Sequence, residues 1–285
     1  MTPNNNFNIL PFYSTLQKQN HRKDYAFGEV YPLFCPSSKI LPFQILRDTR
    51  EDPVTSVLLV RLDTSETTDI TEQMINTGLM VNRYAEYGQD VIMYPGMFLL
   101  SSPIPEGRYY IELSDGVQTW YSEVLTFVRS VDDYLKIRYW DSDSFMFDGG
   151  RIDFTNIFKF EVYLPTQIGR PEYEFEEQVE KRDGYQFVEK QISEKTFRFN
   201  FVAPEYLLDA LRITRMMDYV EITCKGDTYN ADQFLITPKW QGGGYLAAVE
   251  VEFQCATVIK KIGRGFVPAD NGDFNNDFNN DFNNQ

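Results

Sequence analysis

The chain has one histidine, His21, in 285 residues. A Ser-His-Asp or Cys-His arrangement would have to recruit it from a polar stretch beside Arg22 and Lys23, which argues against nucleophile–base catalysis. Cysteine is scarce as well. Cys35, Cys224 and Cys255 lack metal-ligand spacing, and the last two fall on apolar faces of expected strands. They read as buried free thiols of a reducing compartment. Basic residues are outnumbered: 27 Lys and Arg against 42 Asp and Glu leave a formal charge of −15. Phosphate contacts need clustered Lys and Arg, so this balance argues against a nucleic-acid surface and suits a soluble protein or one facing a basic neighbour. No run approaches the roughly 20 apolar residues of a spanning helix. MTPNNNFNIL has no basic region followed by an apolar run, so no secretory signal is expected. Gly242-Gly243-Gly244 is followed by no Lys-Ser or Lys-Thr and opens no helix, so it reads as a hairpin turn and not a phosphate loop.

What is plentiful is aromatic and alternating. Aromatics are 15% and hydrophobic residues 42% of the chain, enough to fill real cores and in favour of sheets. The length suits one large domain or two ordinary ones. Residues 1–29 are polar, with scattered Phe7, Ile9, Leu10, Phe12 and Tyr13. They read as an extended N-terminal arm that becomes ordered against a neighbour.

Residues 30–130 read as a β-sandwich. Val57–Leu62 is a short apolar run, Val91–Leu100 is a strand interrupted at Pro95-Gly96, and Arg108–Leu113 alternates up to an Asp115-Gly116 turn. Trp120–Val128 alternates again, with Trp120, Ser122, Val124, Thr126 and Val128 opposite Tyr121, Glu123, Leu125 and Phe127. The piece PEGRYYIELSDGVQTWYSEVLTF resembles the last two strands of a fibronectin type III or immunoglobulin-like domain.

Residues 131–264 form a second unit of about six strands and one helix, read from the residues as a small barrel or sandwich flanked by that helix. Phe158, Phe160, Val162 and Leu164 alternate with Lys159, Glu161 and Tyr163. The acidic segment EYEFEEQVEKRDGYQFVEKQ, with Asp183-Gly184 at its centre, reads as a long β-hairpin whose tip leaves the body. Phe197, Phe199 and Phe201 alternate with Arg198 and Asn200. Pro204 then opens a helix near 204–217, with Leu207, Leu211 and Thr214 on one side and Glu205, Asp209, Arg212 and Arg215 on the polar side. Strand returns at Tyr219–Cys224. A closing strand turns Ala247, Val249, Val251, Phe253 and Cys255 inward. Residues 265–285 carry Asp-Phe-Asn-Asn three times, one Phe per repeat at Phe274, Phe278 and Phe282. The repeat is too polar for a core and suits either a disordered tail or docking into grooves of a partner.

Few residues suggest chemistry. Asp141, Asp143 and Asp148 before Gly149-Gly150 begin like a calcium loop, but Ile152 stands where the twelfth-position carboxylate belongs. The competing reading is a solvated turn with Asx bonding. Glu174, Glu176, Glu177 and Glu180 are crowded enough for paired-carboxylate hydrolysis, yet they lie on an exposed hairpin and not in a cleft. Trp120, Tyr121, Trp140 and Trp240 are candidates for stacking on sugar rings, although alternation puts Trp120 and Tyr121 on opposite faces of one strand.

The order FKFEVYLP, acidic hairpin, KTFRFNFVAPEYLLDALRITRMMDYVEIT and EVEFQCATVIKK resembles the tail-associated structural proteins of tailed bacteriophages and prophages that infect Bacteroidetes, over roughly residues 135–285. The resemblance implies a tail hub, distal tail or baseplate protein with a tube-like β-barrel. Such a protein is made in the bacterial host cytoplasm and resides in the virion tail as a homo-oligomeric ring, beside other tail or portal-proximal proteins. It implies no enzymatic activity, no cofactor, no membrane, and a lumen that passes DNA without sequence-specific binding. Assembly contacts are then expected from the hairpin (Glu174, Glu176, Glu177, Asp183, Gly184), the helix (Asp209, Arg212, Arg215) and the tail phenylalanines. Two alternatives stand beside it: a glycan- or receptor-binding module using Trp120 and Trp140, and a hydrolase.

Overall fold

Alternating apolar and polar residues leave one face of an extended chain to be buried, and this chain follows that rule almost throughout. The computed structural model describes residues 7–14, 31–48, 53–84, 88–96, 102–147, 150–154, 158–182, 185–240, 246–255 and 259–262. It is mainly β, with large sheets and two short helices. Strands β1–β7 are Phe12–Tyr13, Leu33–Pro36, Phe43–Asp48, Ser56–Arg61, Thr67–Asp69, Met80–Tyr84 and Gln89–Tyr94. Strands β8–β14 are Gly107–Ser114, Thr119–Ser122, Leu125–Val128, Leu135–Trp140, Phe145–Phe147, Gly150–Ile152 and Phe160–Leu164. Strands β15–β20 are Glu172–Arg182, Tyr185–Pro204, Tyr219–Cys224, Asp227–Trp240, Leu246–Cys255 and Ile259–Ile262. Helix α1 is the short turn Thr71–Gln73, and α2 is Glu205–Leu211.

The chain divides into two compact units, a body (Met1–Arg170 with Phe197–Gln254) and a hairpin unit (Pro171–Thr196 with Cys255–Gln285). In the body, β8 carries β4 along one edge and the β9–β10 run along the other. Outside that run lie β1, antiparallel to β9, and β2, parallel to β10. The path continues through β14, β11, β17, β18 and β19 to the last part of β16. A second sheet has the order β3-β7-β6. Phe43 on that sheet packs 4.6 Å from Phe12 of β1. No closed barrel is found among the described residues; the strands expected to form one lie along this open path. The Tyr163–Phe34 pairing joins β14 to β2. Strands before and after the 130/131 boundary thus belong to one hydrogen-bonded sheet, with the boundary itself in the loop between β10 and β11.

The stretch Trp120–Val128 is not one evenly alternating strand. Tyr121 pairs with Glu112, but Leu125 pairs with Tyr109. Three residues, Ser122–Val124, thus oppose Tyr110 and Ile111, and the extra residue makes a β-bulge. Trp120 and Ser122 face inward before it; Leu125 and Phe127, not Thr126 and Val128, face inward after it. Ser122 holds the irregularity together. Its Oγ accepts from the Ile111 N–H at 2.8 Å and donates to the Glu123 carbonyl at 2.8 Å.

In the strand–helix–strand core, Pro204 is the extended N-cap of α2 (φ −76°, ψ 164°), where its missing N–H costs nothing within the helix. Tyr206, Leu207, Leu208, Ala210 and Leu211 are buried, and the chain continues as a 3₁₀ turn, Arg212–Met216, that buries Ile213 and Thr214. The Tyr139 hydroxyl donates to the Ala210 carbonyl at 2.9 Å and ties the helix to β11. Phe197 stacks on Phe253 at 5.2 Å, with Phe199 and Tyr229 around them. Burying each such ring contributes about 1.5–3 kcal/mol. The turn between β17 and β18 is Lys225-Gly226, both with left-handed φ (+51° and +88°), the type I′ geometry that matches strand twist.

In the hairpin unit, β15 pairs antiparallel with β16 from Glu172↔Thr196 to Arg182↔Tyr185, and β20 pairs with the other edge of β16. The register shifts between Gln178 and Val179.

Candidate functional site

Side chains on β15 alternate between two faces of a ribbon two to three strands wide, and so narrow a ribbon cannot cover either face. Tyr173, Phe175 and Val179 share one face, 62%, 73% and 41% exposed; Val188, opposite Val179, is 40% exposed. The Lys195 ammonium lies 5.9 Å from the Tyr173 ring. Glu174 and Glu176 lie on the other face and are exposed, while Glu177 returns to the aromatic face and accepts from the Gln191 amide at 2.7 Å. The acidic residues expected here are thus present beside an apolar stripe that the charge run concealed. Asp183 and Gly184 lie outside the described residues, as do Phe274, Phe278 and Phe282.

The helix candidates are engaged within the chain. Asp209 and Arg212 form an i,i+3 ion pair at 3.6 Å, and the Arg212 guanidinium lies 5.0 Å from the Phe7 ring. Arg215 is exposed in the 3₁₀ turn.

Asp141 organises a turn. One carboxylate oxygen accepts the Asp143 N–H at 2.8 Å and the other the Asp218 N–H at 3.1 Å, fastening the end of β11 to the start of β17. The Ser142 hydroxyl donates to Asp218 at 2.6 Å. Asp143 is exposed, and Asp148 lies outside the described residues. Among the described residues no three His, Cys, Asp or Glu converge as a metal would require.

The two tryptophans differ sharply. Trp120 is 2% exposed, so its ring face is closed to a sugar. Trp140 stacks on Tyr219, its cross-strand partner, at 5.1 Å and 11°. The Lys159 ammonium, just ahead of β14 on the opposite side of β11, sits 3.5 Å from the Trp140 ring centroid. Both faces of Trp140 are therefore taken, and the half-exposed Tyr219 offers the open ring. Burial first, then Arg138, pulls the Lys159 ammonium below the usual lysine range.

The next rung along the same sheet face is ionic. Arg138 bridges Glu161 at 3.6 Å and Glu221 at 3.4 Å, and Glu161 also pairs with Lys39. Glu161 is thus buried on the side of β14 that the alternation left to solvent, and Tyr163 beside it is buried too. Burial, then the charge of Glu161, pushes the Tyr163 hydroxyl well above the usual tyrosine range.

A second polar cluster surrounds Asp153, which is fully buried. Its carboxylate accepts from Asn82 at 2.8 Å, from Ser144 at 3.1 Å and from the Tyr84 hydroxyl. The Arg151 guanidinium lies 3.8 Å over the Tyr84 ring. Burial and the Asp153 hydrogen bond push the Tyr84 hydroxyl up to about 12. The Gln44 amide binds the Asp153 backbone at both its N–H and its carbonyl. Sequence reading missed Asp153, Lys159 and Tyr219, because none stands in a motif and their partners come from distant strands.

On the outer face of β18, β19 and β16, a groove of about 300 Å³ is lined by Val202, Ala248 and Glu250. Lys239–Glu250 at 2.8 Å and Arg198–Glu252 at 2.9 Å lie on the same strands. The cysteines are free thiols, Cys35 and Cys224 buried and Cys255 partly so. Among the described residues no helix is long and apolar enough to cross a membrane. No family model matches the chain, and no curated protein matches it.

Proposed function

We propose that this chain is a non-enzymatic structural protein of a tailed-phage virion, assembling as a ring in the tail hub, distal tail or baseplate. The observation that carries the reading is the hairpin ribbon, which presents Tyr173, Phe175 and Val179 to solvent. Exposed aromatic stripes of this kind mark interaction surfaces, and strand ribbons associate through their edges and faces. In this reading the path from β14 to β16 with α2 is the counterpart of a tube wall and its flanking helix. Strands β3, β6 and β7 with β4, β8 and β10 are the counterpart of a fibronectin-like sandwich. Neighbouring copies and other tail or portal-proximal proteins are the partners, and the acidic chain suits a lumen that lets DNA slide past. Deleting residues 172–190 should leave a folded body that sediments as a monomer and yields no particles. Normal particles from that variant would refute the hairpin's role, and the absence of this chain from purified virions by mass spectrometry would refute the virion reading.

The half-exposed Tyr219 ring, backed by Trp140, favours one second reading, a glycan- or receptor-binding module on the virion. Glycan-array binding that disappears in Tyr219→Ala or Trp140→Ala would select it over the structural reading.

A further inference from the structure

Residues 7–14 are held by the body as a bound peptide would be. Asn8, 2% exposed, reads the Gln44 backbone at two points: its Oδ1 accepts the Gln44 N–H at 2.9 Å and its Nδ2 donates to the Gln44 carbonyl at 2.5 Å. Ile9 and Leu10 are fully buried. The Pro11 carbonyl accepts the Glu123 N–H at 2.9 Å, at the β-bulge. Phe12 is 2% exposed against Phe43, and Phe12–Tyr13 pair with Ser122 and Tyr121. Phe7 lies by Arg212. Each contact named joins the segment to residues more than 30 positions away, and two residues of strand pairing make the backbone hold short. Side-chain anchoring plus one added strand is how extended peptides are recognised on sheet edges.

We propose that the groove between β9 and β3 is a peptide-binding site for the sequence Phe7–Ser14, and that a second copy of this chain supplies the occupant when copies assemble. Nothing in the contacts requires donor and acceptor to be one chain. Residues 15–30 join the segment to the rest, and sixteen residues can span at most about 50 Å, a bound that would allow an adjoining copy to supply the segment. Exchange of an identical element between copies replaces each contact with its equal and so needs little driving force. The groove itself is independent of the virion reading; the second copy as donor rests on the chain's self-assembly.

The test uses the full chain with a specific protease site placed within residues 15–30. After cleavage, the N-terminal peptide should co-elute with the body, and a labelled synthetic peptide of residues 5–16 should replace it saturably. The same peptide carrying Asn8→Ala should bind roughly tenfold or more weakly, because Gln44 then keeps two buried polar groups without their partner. Release of the peptide from a body that stays folded, or equal binding of the Asn8→Ala peptide, overturns the site. To test the donor, uncut protein labelled at its amino terminus with a fluorescent donor is mixed with acceptor-labelled body. Energy transfer that grows with time and concentration supports exchange. Peptide binding without such transfer keeps the groove and overturns the second copy as occupant.

Discussion

The body and the hairpin ribbon obey the same period of two and end with opposite surfaces. On β19, Ala247, Val249, Val251 and Phe253 are all buried, and Phe253 sits in the aromatic cluster with Phe197, Phe199 and Tyr229. On β15, Tyr173, Phe175 and Val179 keep the same spacing and stay exposed. Alternation decides which residues share a face; only a second layer decides whether the face is dry. Among the described residues no second layer covers the ribbon's aromatic face, which in the proposed reading is the face a neighbouring copy would meet.

The contrast breaks most visibly in the body. Phe253→Ala should cost about 3–5 kcal/mol in urea unfolding, since it empties a ring-sized space among Phe197, Phe199 and Tyr229. A cost below about 1 kcal/mol would mean that this face is as open as the ribbon's. A smaller loss, about 1–3 kcal/mol, is expected for Gly96→Ala. Gly96 has φ +68°, and a Cβ there would lie 2.8 Å from Pro42 Cγ.

Alkaline pH gives a milder probe. The Tyr84 hydroxyl titrates near 12 when folded, against about 10 unfolded. A raised folded value means that its contribution is complete below pH 10 and is lost as pH rises from 10 to 12. Tyr84→Phe should flatten stability against pH in that window alone; an unchanged slope refutes the Asp153 contact as its cause. The smallest effect belongs to the ribbon. Phe175→Ser should move the unfolding free energy by no more than about 0.5 kcal/mol while lowering self-association in sedimentation. A large stability loss there would show that the ribbon's aromatic face is covered within the chain.

Local signals were well written in the sequence. The mainly β class, the inward face of β19, and the buried side of α2 at Leu207 and Leu211, continued by Thr214 in the 3₁₀ turn, all follow from spacing alone. What spacing hides is who lies alongside. Glu161 sits at a polar position of β14 and is buried because Lys39 and Arg138 reach it from other segments. Trp140 and Tyr219 meet only through the β11–β17 register. Ile9, Leu10 and Phe12 show no period, because their segment is anchored residue by residue and has only two residues of strand. Residues 7–14 pack against this chain's own strands, where composition suggested an extended arm that becomes ordered against a neighbour. Residues at 174–177 were legible as exposed charge, but the aromatic face between the charges was not.

The bulge at Ser122–Val124 acts on the hydrophobic signal as a half-period phase shift. Either side of it the wave is clean, with Trp120 and Ser122 at the crests of one and Leu125 and Phe127 at the crests of the other; averaged across it, the two cancel. Removing a single residue there would restore phase and turn Leu125 and Phe127 towards water. The same shift places the Glu123 N–H where Pro11 meets it. One residue of insertion thus sets two things at once, the core of β10 and the berth of the N-terminal segment.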